Sequence, residues 1–518
     1  MTHHKHLTAR IAGLTLFSFL VLPAAAPSRA SAEELTLTPL ATWETGIFDK
    51  SAAEIVVFQK STGLVLFVNG AAPSVEVIRL TAQGKMEFVT RLDLAKSESP
   101  TSVAVRDDLI AVAVHDAEAK GRPGKIVFFD NHHKRVREIP AGSLPDMVTF
   151  SPDGRYVLVA NEGEPHGTFD PEGSITVIDL KPGIDKATPA TAAFGAFNRK
   201  ALVKDGVRIA PGKSFAEDAE PEYIAVSKDS RTAWVSLQEN NALAEIDIAK
   251  AGITKIIPLG LKDHSRPENA LDGVDGDGIN IVPRPVFGMY MPDSVASLEF
   301  EGKNYILTAN EGDARAEETK LAKAKLDPAA LDEATKKELA KLRISSTDGD
   351  LDGDGDIDRV HTYGARSFSI FDTDGTLVFD SGNDFERITA EWLGAFFNSD
   401  KSAGDSGDSR SDNKGPEPEG ITTGRINERT YAFIGLETVG GVMVYDITDP
   451  RKPSFAGYHN PRHFEKGLNY EKDADWKKAG YLGPEGLSFI PAENSPTGTP
   501  LLLIAYEVSG NVEIVAIN

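Results

Sequence analysis

The 518-residue sequence contains no cysteine, and aromatic residues make up only 8% of it. Without thiols the chain has no disulfide framework, thiolate zinc site, iron–sulfur cluster or cysteine nucleophile. Basic residues are also in deficit, since 55 Lys and Arg stand against 78 Asp and Glu and give a formal net charge of −23. This balance disfavours nucleic acid and anionic membranes as partners, because both are bound through Lys and Arg, and it suits cations as ligands.

The sequence also lacks an apolar run of the roughly 20 residues that a membrane span needs. The longest run, Ile11–Ala26, follows Lys5 and Arg10 and precedes a small-residue cleavage pattern ending at Ala32. This order is typical of a secretory signal peptide, so we predict a signal peptide over 1–32 and a periplasmic or secreted mature chain. A retained N-terminal anchor is the alternative.

A degenerate repeat runs through residues 33–518. Each copy starts with Pro or Ala and a polar residue, continues through short strands of alternating apolar residues, and carries a polar residue, often Glu, after its second strand. The opening Pro and that Glu recur at nearly constant spacing, in the pairs Pro145 and Glu162, Pro221 and Glu239, Pro292 and Glu311, and Pro418 and Glu437. Seven such copies predict an all-β chain folded as a single seven-bladed β-propeller domain, closed by an N-terminal strand around residues 35–43. A β-sandwich array and rings of six or eight blades are the alternatives.

Two long insertions interrupt the repeat in or after its fifth copy. Residues 316–344 are rich in charged helix formers with a Pro near the middle, which predicts a helical insertion of two helices. Residues 384–397 predict a short amphipathic helix, and residues 398–415 predict a loop. The insertions indicate a cap over the functional rim of the ring, or else solvent-facing decoration.

The strongest local motif is an acidic loop at residues 348–358. Its aspartates stand at alternating positions: Asp348, Asp350, Asp352, Asp354, Asp356 and Asp358. Oxygen ligands in this pattern, with Gly355 at the sixth position counted from Asp350, build a calcium loop, although His361 stands where an EF-hand has its bidentate Glu. We therefore predict calcium here, outside an EF-hand, against the alternative of a solvated acidic loop. A weaker echo of the motif lies at Asp272–Gly278.

A second acidic pattern follows the repeat itself. The residue near the start of the first strand is acidic in six of the seven copies, at Glu54, Asp146, Glu222, Asp293, Glu419 and Glu485. The second copy has Thr101 at this position. The position after the second strand holds Glu162, Glu239, Glu311, Glu437 and Glu507. First strands line the channel of a propeller, so we predict that these acids converge at one mouth and raise one another's pKa values or bind a hard cation. The alternative is that each carboxylate caps its own turn.

Several segments carry a resemblance to a known family, namely 46–49 (GIFD), 52–55 (AAEI), 285–293 (PVFGMYMPD), 308–315 (TANEGDAR), 411–420 (SDNKGPEPEG), 483–487 (GPEGL) and 509–510 (SG). They resemble the choice-of-anchor I family, which is similar to mesenchyme-specific cell-surface glycoproteins and to a region of atypical bacterial alkaline phosphatases. The resemblance covers roughly residues 35–518 and implies a calcium-associated extracytoplasmic propeller, with phosphomonoester hydrolysis as a candidate activity. It supplies no agreed catalytic residues.

The sequence departs from the family pattern in two places. Tyr506 precedes Glu507 where the family usually has Asn, which weakens the idea that all copies share one site. The family often carries a C-terminal anchor, whereas this sequence stops at Asn518, so we expect a free protein.

The first candidate function is a metal-dependent phosphomonoesterase at the channel mouth. Since no serine-hydrolase elbow, P-loop or zinc-protease motif is present, the expected nucleophile is a metal-bound water. The candidate catalytic residues are Glu162, Glu311, Asp313 and Arg315. Carboxylates such as Glu162 and Glu311 would hold calcium or a second, catalytic divalent metal, and Arg315 would clamp the phosphate. His166 and Arg366 are further candidates for anion handling, although such residues are usually ion-pair partners.

The second candidate function is a non-catalytic calcium-binding scaffold or a propeller that binds a protein partner, because a propeller fold does not decide function. The expected partners are a small phosphorylated substrate or another protein, with no nucleic acid and no membrane span after signal cleavage. We expect a monomer. The acidic loop 348–358 is expected under both hypotheses and does not separate them.

Overall fold

The computed structural model describes Met1, residues 35–470, Lys472 and residues 475–518. Apart from Met1, the predicted signal peptide over 1–32 lies outside the described residues. Among the helices of the described part, none is long and apolar enough to cross a membrane.

Strands follow one another along the described chain, and helices are few. Up to residue 258 the strands are β1 (Leu37–Glu44), β2 (Val56–Gln59), β3 (Leu64–Asn69), β4 (Ser74–Leu80), β5 (Met86–Asp93), β6 (Glu98–Arg106), β7 (Leu109–Asp116), β8 (Pro123–Asp130), β9 (Arg135–Ser143), β10 (Pro145–Phe150), β11 (Tyr156–Asn161), β12 (Ser174–Asp179), β13 (Pro189–Ala193), β14 (Pro221–Val226), β15 (Thr232–Leu237), β16 (Ala242–Asp247) and β17 (Gly252–Pro258). The next are β18 (Leu261–Asp263), β19 (Phe287–Met289), β20 (Val295–Phe300), β21 (Lys303–Ala309), β22 (Glu318–Lys320), β23 (Arg343–Ser345), β24 (His361–Thr362), β25 (Phe368–Asp372) and β26 (Leu377–Asp380). The last are β27 (Pro418–Ile426), β28 (Arg429–Leu436), β29 (Val442–Asp446), β30 (Ser454–His459), β31 (Pro484–Ile490), β32 (Leu501–Tyr506) and β33 (Asn511–Ile517). The α-helices of this part are α1 (Arg199–Lys204), α2 (Phe215–Asp218), α3 (Glu333–Glu338) and α4 (Asp384–Leu393).

Seven four-stranded antiparallel sheets form the body of the described chain. The first six keep chain order, as β2 to β5, β6 to β9, β10 to β13, β14 to β17, β20–β21–β25–β26, and β27 to β30. The last sheet joins both ends of the described chain, because β1 pairs with β33 from Leu37 opposite Ile517 to Glu44 opposite Asn511. The first strand of each sheet contacts that of the next, and β31 contacts β2. This is the topology of a β-propeller, with the predicted N-terminal strand completing the last sheet.

The hydrophobic core lies between neighbouring sheets. The strands β3, β11 and β32, each second in its sheet, are buried along their whole length. They are nearly continuous apolar runs because neither face of such a strand meets water. Phe67 and Leu503 lie in one buried cluster, which joins the first sheet to the last.

The inner strands come close to one another at two Pro-Glu-Gly segments. A Cβ atom on Gly420 would lie 1.9 Å from the carbonyl oxygen of Glu485, and one on Gly486 would lie 2.4 Å from that of Glu54. The Gly486 amide donates a hydrogen bond to this Glu54 oxygen at 3.1 Å. Only glycine leaves room for such contacts. The acidic residues of adjacent sheets are therefore brought side by side.

The insertion at 316–344 differs from the two helices that its composition predicts. It contains α3, a 3-10 turn at Leu321–Lys323, and the paired strands β22 and β23. Its apolar side chains pack with residues from two other connections, in a cluster of Leu271, Val286, Leu321, Leu331, Leu339, Leu342, Ile344, Ile357 and Val360. Burying all of these side chains requires an irregular path. Tertiary packing therefore overrides helix propensity in this segment.

The second insertion follows its prediction more closely. The helix expected within 384–397 is α4, followed by a 3-10 turn at Gly394–Phe396. Residues 398–415, which we call the mouth loop, consist of turns without helix or strand. The three-stranded sheet of β18, β19 and β24 has no counterpart in the sequence-based prediction.

Candidate metal centre

The six acids predicted from the repeat line one cavity of about 460 Å³, which we call the channel mouth. They are Glu54, Asp146, Glu222, Asp293, Glu419 and Glu485. Glu311, Asp313 and Glu437 line the same cavity. The seventh repeat position, Thr101, donates its hydroxyl hydrogen to the carbonyl oxygen of Pro145 in the neighbouring sheet at 2.6 Å.

A backbone irregularity aims several of these carboxylates. The pairing register of the inner strand shifts just after the opening Pro, at Pro145, Pro221, Pro418 and Pro484. Proline cannot donate to the sheet ladder, and a bulge next to it turns the following side chain away from the regular alternation. The Pro–acid pair in the sequence is therefore the local cause of the acidic ring.

The six carboxylates have no local partner. Within the described chain, none of their side chains takes part in a hydrogen bond or an ion pair, and Glu419 Oε2 and Glu485 Oε2 are buried without any partner. None of these six carboxylates therefore caps its own turn within the described chain. Buried oxygens without partners are costly, and carboxylate oxygens are the ligands that calcium prefers, so this set fits a hard cation.

Crowding also shifts the proton affinities of the ring. Burial, reinforced by neighbouring carboxylates, raises the pKa values of five members well above their usual range: Glu54, Glu222, Asp293, Glu419 and Glu485. Burial likewise raises the pKa of Asp146 to about 6 although Lys120 opposes the shift. Without a cation the ring therefore holds protons that ordinary carboxyl groups lose.

The acids after the second strands differ in the direction in which their pKa values are shifted. Burial raises the pKa of Glu437 to about 7 and that of Glu239 to about 8, and it raises the pKa of Glu162 well above the usual range. In Glu311 burial is outweighed by Lys414, which lowers the pKa. One oxygen each of Asp293, Glu311 and Glu419 lie within 4.8 Å of one another.

A second compact group of carboxylates adjoins the first. Glu311, Glu417 and Glu437 also bring one oxygen each within 4.8 Å of one another. Sequence reasoning did not single out Glu417, although it lies in the SDNKGPEPEG segment. Its signal is its position two residues before Glu419, in the approach to β27.

The mouth loop supplies cations that sequence reasoning missed. Lys414 Nζ lies 2.7 Å from Glu311 and 3.0 Å from Glu417. Arg410 Nε donates to Glu417 at 2.7 Å, and Lys401 forms an ion pair with Glu437. The sequence of this loop, which is rich in Ser, Gly and Asp, gives no local signal for this role. The contacts depend on the position that the folded loop takes relative to the acids of the mouth.

Arg315, the predicted phosphate clamp, is already engaged. Its guanidinium group lies 2.8 Å from Asp218 and 2.9 Å from Glu220, and 3.9 Å from Glu239. It acts as an ion-pair partner in this structure. Of the other candidate catalytic residues, Glu311 lines the mouth and Asp313 lines it with a side chain that is 65% exposed. Glu162 is not among the residues that line this cavity, and it forms no ion pair within the described residues.

The two other candidates for anion handling also lie elsewhere. Arg366 is 4% exposed, pairs with Glu386 at 2.7 Å and donates to the carbonyl oxygens of Asp272, Ser411 and Asn413. It is therefore a structural anchor, because its guanidinium group is enclosed by these partners and does not line the mouth. The backbone of His166 forms an isolated bridge with Phe169.

The aspartates of the acidic loop 348–358 fall into two compact carboxylate groups that share Asp358, and two of the aspartates belong to neither group. Asp350, Asp352 and Asp358 bring one oxygen each within 4.8 Å, and Asp356 and Asp358 do so with Asp327 from the insertion. Asp348 departs from the predicted ligand set, because it pairs with Arg208 at 2.8 Å. Asp354 belongs to neither group and accepts the Asp356 amide hydrogen at 3.1 Å.

The weaker motif at Asp272–Gly278 contacts the mouth loop. Asp408 of that loop accepts hydrogen bonds from the amides of Gly276 and Gly278 at 2.8 and 3.0 Å. Asp272, Asp277 and Asp408 each bring one oxygen within 4.8 Å of the others. This segment thus helps to position the loop that covers the mouth.

Comparison with known proteins places the chain in a family. A model of the choice-of-anchor I domain matches residues 54–450. The chain is 30% identical over 191 residues to Gigasin-3a of Magallana gigas, which covers 34% of this chain and 63% of that protein. It is 23% identical over 306 residues to a mesenchyme-specific cell surface glycoprotein of Strongylocentrotus purpuratus, which covers 49% of this chain and 38% of that protein. The chain therefore spans less than two thirds of the length of either relative.

Among solved structures, the chain is similar to the Cps50 (Swd1) β-propeller domain of Myceliophteria thermophila. The TM-score is 0.44 at 9% identity, and the match covers 93% of this chain and 100% of that domain. At this score the propeller assignment depends on the sheet topology described above.

Proposed function

The chain belongs to the choice-of-anchor I family, and we propose that it is an exported, calcium-dependent β-propeller of seven blades whose channel mouth binds a divalent cation. The blade number is supported by the seven four-stranded sheets and by the contact between β31 and β2. The observation that carries the cation site is the convergence of six carboxylates without hydrogen bonds or ion pairs among the described residues.

Asp293, Glu311 and Glu419 are the residues that would hold the cation, since their oxygens already lie within 4.8 Å of one another. Glu485 and Glu54 line the same cavity and would supply further oxygen atoms. Calcium takes six to eight oxygen ligands in flexible geometry, so a crowded ring of carboxylates suits it better than it suits magnesium. A bound cation also removes the repulsion that the ring otherwise relieves by taking up protons.

The test is a calcium titration of the mature protein after chelation. We compare Glu419→Gln with Glu428→Gln, an exposed acid in the turn between β27 and β28. Both are made in an Asp352→Ala background, so that binding to the acidic loop is reduced equally. Glu419→Gln is expected to weaken calcium binding by about tenfold or more, because it removes a ligand charge at the mouth. Indistinguishable titrations of the two variants would contradict the proposal.

Phosphomonoester hydrolysis is the second candidate function, and Lys401 favours it. This lysine lines the mouth beside Glu437, and its side chain is 33% exposed, so a phosphate can reach it. It replaces Arg315 as the candidate phosphate-binding cation because it lines the cavity and is more exposed, whereas the Arg315 side chain is 16% exposed and does not line the cavity. A divalent cation at the mouth would neutralise phosphate charge and activate water. A non-catalytic calcium-binding scaffold is the competing function.

Hydrolysis of p-nitrophenyl phosphate by the mature protein separates these functions. A phosphatase is expected to lose activity on chelation, to regain it with calcium, and to lose it in Glu419→Gln but not in Glu428→Gln. The absence of metal-restorable turnover from neutral to alkaline pH would exclude the phosphatase and leave the scaffold.

A further inference from the structure

Lys414 is the most enclosed cation at the channel mouth. Its side chain is only 9% exposed, and its ammonium group lies 2.7 Å from Glu311, 3.0 Å from Glu417 and 3.7 Å from Asp313. These distances place a full positive charge among carboxylates that themselves form a compact group. An exposed lysine in a single surface ion pair interacts only weakly with its partner, because water screens the two charges. An enclosed lysine is screened much less, so its charge acts strongly on the carboxylates around it.

The backbone around Lys414 is held on both sides. Arg366 donates to the carbonyl oxygens of Ser411 at 2.8 Å and Asn413 at 2.6 Å. The Thr438 hydroxyl donates to the carbonyl oxygen of Gly415 at 3.1 Å. The position of the ammonium group is thus set by buried contacts of its own loop.

The other end of the mouth loop is anchored in the same manner. Arg462, which is 5% exposed, donates to the carbonyl oxygens of Asp400 at 2.6 Å and Ala403 at 2.9 Å. Two buried arginines therefore fix a loop whose lysines face the acids. The loop supplies cations to the mouth as a permanent part of the fold.

Two carboxylate groups at the mouth share Glu311. One is Asp293, Glu311 and Glu419, and the other is Glu311, Glu417 and Glu437. Lys414 contacts two members of the second group, while Asp293 and Glu419 have no ion pair within the described residues. The carboxylates on the Glu311–Glu417 side of the mouth are consequently neutralised in part by Lys414, whereas those on the Asp293–Glu419 side have no cation of their own among the described residues.

We propose that Lys414 is a built-in cation that fills the Glu311–Glu417–Glu437 group and directs the divalent ion to the Asp293–Glu419 side. This proposal rests on the proposed function, because it concerns the same cation site. A calcium ion needs oxygen atoms at 2.3–2.6 Å, and the ammonium group occupies the space between Glu311 and Glu417. Two cations a few ångströms apart also repel each other. Lys414 therefore limits how many ions the mouth accepts.

The test counts calcium ions in Lys414→Met, which keeps the length of the side chain and removes its charge. Isothermal titration is carried out after chelation in the Asp352→Ala background, with the exposed Lys303→Met as the matched control. Lys414→Met is expected to bind one more calcium ion than the parent, or to bind calcium at least tenfold more tightly. Lys303→Met is expected to match the parent. Unchanged number and affinity in Lys414→Met would overturn the proposal.

A double variant tests whether the gain needs the freed carboxylates. Glu311→Gln in the Lys414→Met background removes a ligand together with the cation, and it is expected to lose the additional binding. If Lys414→Met is too unstable to titrate, its melting temperature is measured with and without calcium. Calcium is then expected to raise it more than it raises that of the parent, and an equal or smaller increase would overturn the proposal.

The same titrations distinguish this proposal from the proposed function. A parent that binds no calcium at the mouth, together with a variant that does, would refute the proposed function and the directing role of Lys414, and would support only its role in filling the Glu311–Glu417–Glu437 group. A parent that binds calcium, together with a variant that binds it identically, would do the reverse.

Discussion

At the scale of single residues, the acidic ring originates in short dipeptides. A Pro followed by an acid starts several inner strands, the bulge after the Pro redirects the side chain, and a following Gly admits the neighbouring sheet. Each step is local, which is why sequence reasoning placed the six ring acids. Lys414 and Glu417 were missed because their importance comes from contacts with Glu311, which is distant in sequence.

The first prediction concerns the pH dependence of stability in chelator. The folded-state pKa values of Asp146, Glu437 and Glu239 are about 6, 7 and 8, above their ordinary values of 3.8 and 4.5. Between the ordinary and the folded values, the folded protein binds protons that the unfolded chain has released. The free energy of unfolding therefore falls as pH rises from about 4 to about 8.

Differential scanning calorimetry checks this expectation. In chelator the melting temperature is expected to fall between pH 5 and pH 8. Calcium is expected to restore it at pH 8 and to change it little at pH 5, where protons already neutralise part of the ring. A melting temperature that stays constant or rises over this range in chelator would contradict the prediction.

At the scale of elements, insertions assemble the surroundings of the mouth. The sequence predicted α4 and the mouth loop because helix formers and turn residues act locally. It predicted two helices in 316–344 where the chain instead buries its leucines against Leu271 and Val286. The composition of a segment indicates its helix propensity, whereas the backbone conformation that it adopts depends on the surface against which it packs.

The second prediction tests how the acidic loop is divided. Asp352 belongs to the group with Asp350 and Asp358, and Asp354 does not. Asp352→Ala is therefore expected to reduce the rise in melting temperature that calcium causes, because a ligand stabilises the folded state by an amount that grows with the logarithm of its affinity. Asp354→Ala is expected to retain more of that rise. Equal losses in the two variants would show that the loop does not discriminate between them.

The third prediction concerns the anchor of the mouth loop. Arg366→Met leaves Glu386, which is 1% exposed, without its ion pair. We expect the free energy of unfolding in urea to fall by about 3–5 kcal/mol, as for other broken buried pairs. The matched control is Arg387→Met, since Arg387 is 50% exposed in its pair with Asp384 and such pairs contribute about 1 kcal/mol or less. A similar small loss in both variants would contradict the assigned role of Arg366.

At the scale of the whole molecule, both ends of the described chain meet in one sheet. The β1 strand pairs with β33 along its length, so the final sheet is complete only when residues 37–44 are in place. In the absence of cysteine, this pairing and the cores between sheets hold the ring. Without β1, the edge of β33 would be exposed. Its unpaired backbone N–H and C=O groups could then form hydrogen bonds with a strand of another chain.

The fourth prediction follows from this closure. A chain that starts after residue 44 is expected to unfold at a lower temperature and to self-associate, compared with one that starts at residue 35. Calorimetry and size-exclusion chromatography measure the two effects. A shortened chain with the same melting temperature and elution volume would show that β1 is dispensable.

The sequence by itself determined the all-β repeat, the strand that completes the last sheet, and the recurring acids, because strand period and Pro–acid pairs act over a few residues. Only the tertiary structure decided which carboxylates share a group, that Arg315 pairs with Asp218, and that Lys414 enters the mouth. These features depend on distances between segments a hundred residues apart. Such distances are set by how the sheets and insertions pack, and no local pattern in the chain encodes them.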